Sequence, residues 1–135
     1  MIHRELTIGR WRVYFIFAPD GYDDNVILDI MYDLDAPDYI LVQAGRKMRR
    51  NKPNEGFTYT NSSMREAVVV IGHTTSGKEF LDTLVHEVKH LSVAIADSLG
   101  LDLKGEGPAY LAGDSARELA DIICMLGCPT CGGKG

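Results

Sequence analysis

His86-Glu87-Val88-Lys89-His90 lies inside a run whose apolar residues Leu81, Leu84, Val88, Leu91 and Ile95 recur at helical spacing. The two histidines therefore belong to one amphipathic helix and sit one turn apart on the same face. Imidazoles so placed can share a single metal ion. Glu87 is rotated off that pair, where its carboxylate can reach a water on the metal instead of the metal itself. Upstream, Ala67-Val68-Val69-Val70-Ile71 is almost wholly apolar and reads as a strand buried on both faces. Thr75 or Ser76 can cap the helix that follows, and its core stripe fades at Leu99-Gly100.

The rest of the chain supplies elements to pack against this unit. Leu6 to Ala18 is rich in aromatic and β-branched residues and reads as a strand, bent at Gly9 and closed by Pro19-Asp20-Gly21. Ile27, Ile30, Met31 and Leu34 follow the 3.6-residue period, with Asp23 and Asp24 at the positive end of that helix. Pro37 can open a second helix through Ile40, Leu41 and Ala44 into the basic run Arg46 to Lys52. Phe57 to Thr60 and Ala67 to Ile71 read as strands joined by Asn61-Ser62-Ser63. Pro108 starts a last helix through Tyr110, Leu111, Leu119, Ile122 and Ile123, which Gly127 and Pro129 stop.

At 135 residues with 45% hydrophobic content, the chain suits one domain with a core of its own. The expected class is α+β, with a single domain over residues 1–126 and a flexible cysteine- and glycine-rich tail over residues 127–135. The formal charge of −5 argues against nucleic acid as the main partner. An early acid, Glu5, and a first apolar run too short for export or a membrane span give the expectation of a soluble, cytoplasmic protein. The three cysteines fall in the last dozen residues and form no disulfide framework for the body of the fold.

A hydrolytic zinc site takes three protein ligands and leaves one position for water. His86 and His90 give two. For the third, Glu106 lies sixteen positions after His90, past a glycine turn, on an irregular connection that can fold back. A simple helical hairpin would instead bring Asp114 or Glu118 level with the histidines. Asp82 and Asp97 stand one turn before His86 and two turns after His90, where either can orient an imidazole, and Tyr110 can donate to an oxyanion.

Three other motifs compete. Gly72-His73-Thr74-Thr75-Ser76-Gly77-Lys78 fits the first seven positions of a phosphate-binding loop, but Glu79 stands where Ser or Thr would hold magnesium. Few residues remain after it, and no parallel strands among them could build a nucleotide-binding sheet, so the segment reads as a strand-to-helix turn. Cys124, Cys128 and Cys131 have the spacing of a metal knuckle or cluster but lack a surrounding fold; a redox-sensitive tail is the simpler account. The Cys-Pro-Thr-Cys-Gly-Gly-Lys-Gly ending resembles one unit of a cysteine-rich chaperone repeat, and one copy brings only two ligands. The basic run Arg46 to Lys52 reads as a solvated helix end favoured by the dipole.

The block from His86 onward resembles the gluzincin metallopeptidases, in which a two-histidine helix is followed by a segment donating a glutamate. Glu106-Gly107-Pro108-Ala109-Tyr110 is similar to that segment and to the Glu-Gly-x-Ala stretch of zinc aminopeptidases. The longer pattern is similar to small H-E-x-x-H proteins of phages and gut bacteria, through Gly56 to Asn61, the Val/Ile-rich strand and Ala109 to Gly113. This likeness covers roughly residues 55–115, and only the pentapeptide in it is chemically specific. It implies a minimal zincin-like fold in which a small sheet supports the histidine helix and a C-terminal helix completes the site. It implies Zn2+ held by His86, His90 and Glu106, with Glu87 as catalytic base and later acid, in a hydrolase acting on a peptide or protein. By analogy with zincins, Val68 to Ile71 would be an edge or near-edge strand able to hold an extended substrate. The competing expectation is a catalytically inactive metal-binding interaction module of phage or mobile-element origin.

Overall fold

The computed structural model describes residues 1–127. Strands β1 (Ile2–Ile8), β2 (Trp11–Phe17), β3 (Gly56–Asn61) and β4 (Glu66–Ile71) form one sheet in the order β1-β2-β4-β3. β2 runs parallel to β4, and the two outer pairings are antiparallel. Helices α1 (Asp24–Asp33) and α2 (Asp38–Arg50) cover one face; α3 (Gly77–Ser98), α4 (Gly107–Glu118) and α5 (Ala120–Gly127) cover the other. The chain is an α+β protein, as its element pattern predicts.

Alternation along the central strands builds both cores. Trp11, Val13, Phe15 and Phe17 of β2 and Ala67, Val69 and Ile71 of β4 face Phe80, Leu84, Leu91 and Ile95 of α3. Ile16, Val68 and Val70 point the other way, onto Ile27, Met31, Ala44 and Met48 of α1 and α2. Val68 to Ile71 is thus buried on both faces, as its composition predicts, and β4 takes the near-edge place of the two that the zincin analogy allows. The edge is β3.

The stretch Leu6 to Ala18 is a hairpin and not one bent strand. Gly9 and Arg10, at φ 55° and 68°, make a two-residue turn with both residues at positive φ, and Ile8 faces Trp11 across it. Gly9 is required twice over, since a Cβ there would come within 2.7 Å of Ile95 Cγ2 on α3. Trp11 Nε1 donates to Ser98 Oγ at 2.9 Å and pins the hairpin to the end of α3.

Residues 72–76 form the strand-to-helix turn, and Ser76 caps α3 by accepting from Glu79 N at 3.2 Å. Ser76→Ala is expected to cost about 1 kcal/mol, read as a lower urea midpoint at unchanged m-value. The last helical stretch divides at Leu119 into α4 and α5. Ser115 Oγ donates back to Leu111 O at 3.0 Å just before the break, a bond that bends helices, and the bend lets both Leu119 and Ile122 enter the core. No helix among the described residues is long and apolar enough to cross a membrane. Gly127, where the expected tail of residues 127–135 begins, ends α5, and residues 128–135, with Cys128 and Cys131, lie outside the described residues.

Candidate functional site

α3 presents His86 and His90 on its exposed flank beside the edge strand, and Glu87 on the flank that turns in towards β3. At about 100° per residue, His90 is only about 40° round the helix from His86, which stacks the rings on one face. Their centroids are 4.8 Å apart with planes at 83°, and the two Nε2 atoms are separated by 3.2 Å. Zinc–nitrogen bonds of about 2.0–2.1 Å at a tetrahedral angle place two nitrogens roughly 3.3 Å apart. The pair therefore fits two corners of a tetrahedral ion.

Glu87 is 6% exposed, and its Oε1 accepts from Thr58 Oγ1 at 2.9 Å. A buried carboxylate needs such a donor to offset the water it gives up. Gly56, one residue pair upstream on β3, makes the approach possible, since a Cβ there would meet Val70 O at 2.6 Å and Glu87 Cγ at 3.1 Å. The carboxylate is held between the start of an edge strand and the middle of a helix.

These groups line a cleft of about 450 Å³ with Lys47, Phe57 and Thr60. An adjoining cavity of about 260 Å³ shares Lys47, Gly56, His86 and Glu87 and adds Asn54, Glu55, Asp82 and Thr83. Behind it, burial first and then the Glu55 and Asp24 carboxylates hold the Tyr22 phenol above its ordinary range. Lys47 comes from α2, on the opposite face of the sheet, and its Nζ donates to Gly56 O at 2.7 Å. Thr58 and Lys47 carry no motif. Their roles follow from the placement of β3 and α2 beside α3, which local sequence does not encode.

The free edge of β3 runs along the cleft. Gly72 N donates to Glu55 O, so residues 55, 57, 59 and 61 pair with β4 and residues 56, 58 and 60 turn their backbone groups outward. Thr58 and Thr60 thereby offer N–H and C=O groups to an incoming strand, with their side chains in the cleft.

The structure does not bring Glu106 to the histidines. It is exposed at the start of α4. α4 packs on the flank of α3 that carries Val85, Val88, Lys89, Ser92 and Val93, across a groove whose other wall includes Leu103, Gly105, Pro108 and Ala109. At about 100° per residue, Val85, Val88 and Ser92 on that flank are turned about 120° or more from the midpoint of the imidazole pair, with Lys89 and Val93 on the nearer rim. The same packing removes Asp114, which pairs with Arg117 at 2.7 Å, and the exposed Glu118 from contention. Tyr110, 69% exposed on α4, and Asp97, exposed near the end of α3, are not in the cleft; Asp82 lines the adjoining cavity. Among the described residues no three or more His, Cys, Asp or Glu side chains are gathered closely enough to hold a metal, so the imidazoles stand as a pair. No protein-family model, curated protein or solved structure matches the chain.

Proposed function

We propose that the cleft between β3 and α3 is a zinc-dependent peptide-hydrolysing site, in which His86 and His90 hold the ion and Glu87 moves the proton. The observation that carries this reading is the imidazole pair at tetrahedral spacing beside a buried, hydrogen-bonded carboxylate. The gluzincin resemblance supports the same chemistry. Glu106 is left out of the ligand set, because α4 lies on the other flank of α3.

When bound, zinc supplies the Lewis acidity that makes water nucleophilic near neutral pH. Glu87 accepts a proton as the water oxygen adds to the substrate carbonyl carbon. It returns that proton to the amine nitrogen as the C–N bond breaks. Thr58 fixes one carboxylate oxygen and leaves the other for this transfer. The outward backbone groups of Thr58 and Thr60 would hold an extended peptide by strand addition along the cleft.

The test is elemental analysis together with mass spectrometry of a mixed peptide library. About one zinc per chain is expected, with cleavage that a chelator stops, and His90→Ala should lose both. A zinc-free protein, or cleavage indifferent to the chelator, would refute the reading. A second reading, a metal-binding interaction module, is favoured by the gathering of two protein ligands where hydrolytic sites use three. It predicts zinc-dependent melting without cleavage.

A further inference from the structure

We propose that Lys47 is a catalytic residue of this cleft, an ammonium that hydrogen-bonds the oxygen on which negative charge develops when water adds to a peptide carbonyl. The proposal rests on the hydrolytic reading and names the group that would take the charge.

Lys47 differs from the other cations at the end of α2. Arg46, Arg49 and Arg50 are exposed, whereas Lys47 is half-buried, its stem passing the sheet edge so that the ammonium enters the cleft from the far face. There it lines the same space as His86, Glu87 and His90. One N–H is used on Gly56 O at 2.7 Å, and this bond fixes where the nitrogen sits. An ammonium has three donors, so two remain.

Among the described residues no carboxylate forms an ion pair with it, although Glu55, Asp82 and Glu87 line the adjoining cavity that it shares. The ion pairs of the described residues, taken to 4.0 Å, are Arg4–Asp121, Arg12–Glu5, Arg12–Glu66 and Arg117–Asp114, and none involves Lys47. A half-buried cation whose hydrogen bond goes to a neutral carbonyl, with no carboxylate of the described residues within ion-pair distance, can still gain from an arriving anion. The metal-binding imidazoles and the proton acceptor share its cleft, so the anion that best fits is the one the reaction makes. As the water oxygen adds, the C=O π pair moves onto the substrate oxygen, and Lys47 donates a hydrogen bond there while keeping its own proton. On collapse the pair returns to carbon, the C–N bond breaks, and the amine leaves with the proton carried by Glu87. A fixed donor aimed at such a charge typically contributes 10²–10³-fold in rate.

Phenylphosphonate, a small tetrahedral anion, probes the group without turnover. Calorimetric titration into zinc-loaded protein is expected to show binding that weakens at least tenfold in Lys47→Met, at unchanged zinc content. Lys47→Arg, which keeps the charge, should stay within a few-fold of the native protein and provides the comparison if the Met variant folds poorly. On any cleaved library peptide, Lys47→Met should lower kcat by about 10²-fold with little change in KM. Equal phosphonate affinity in native protein and Lys47→Met, or no phosphonate binding by the zinc-loaded native protein, overturns the proposal while the zinc measurement leaves the hydrolytic reading standing. If Lys47→Met aggregates yet binds phosphonate normally, Lys47 only blunts the exposed strand edge. Failure to take up zinc overturns both.

Discussion

Glu87→Gln is expected to abolish most peptide hydrolysis, by roughly 10²–10⁴-fold in kcat, while the protein keeps its zinc. The substitution is nearly isosteric, and the site can absorb it. Thr58 Oγ1 now donates to Oε1 at 2.9 Å, and a hydroxyl can instead accept from an amide N–H by rotating, so no buried polar group is orphaned in the variant. Removing a charge that is 6% exposed also relieves a desolvation cost, so the melting temperature should hold or rise. Loss of turnover with zinc and stability intact would separate the base from the fold. Retained turnover would remove Glu87 from the chemistry. Were neither protein to cleave anything with zinc bound, the interaction module would be the surviving account.

What could be read from the sequence, and what could not, divides along local against tertiary information. The pairing of His86 with His90 and the rotation of Glu87 off that pair follow from helical period, and the double burial of Val68 to Ile71 follows from its unbroken apolar composition. The hairpin at Gly9-Arg10 is masked by the aromatic and β-branched residues on both sides of it, which read as one long strand. Its one signal is a glycine in the middle of a long strand pattern, and the close approach of Ile95 that makes it necessary comes from a helix some eighty residues away. Glu106 shows the limit of a resemblance. The segment has the expected residues, but the apolar flank through Val85, Val88 and Ser92 draws α4 to the side of α3 away from the histidines. Which side a following helix takes is decided by where exposed apolar surface remains, a sum over the whole fold. Lys47 is the converse case, a residue in a basic run that reads as a solvated helix end and acquires a distinctive place only because α2 lies beneath the sheet edge.

Gly56 is the position at which fold and site are most tightly joined, and Gly56→Ala is expected to damage both. The added methyl would stand 2.6 Å from Val70 O and 3.1 Å from Glu87 Cγ. The first contact is with backbone in the paired centre of the sheet, which has no rotamer to change. The strand must therefore shift, at a cost of about 1–3 kcal/mol, typical of overpacking in a close-packed interior. The second contact pushes the carboxylate away from Thr58 and disturbs the carbonyl that anchors Lys47. Chemical denaturation should show the loss as a lower midpoint, and zinc-loaded protein should show reduced turnover at temperatures where the variant is still fully folded. Zinc affinity should change little, since His86 and His90 lie on the exposed flank of α3 and do not touch β3 through this glycine. A variant that loses stability but retains native turnover would mean that Glu87 tolerates displacement, and that its position against β3 serves packing alone.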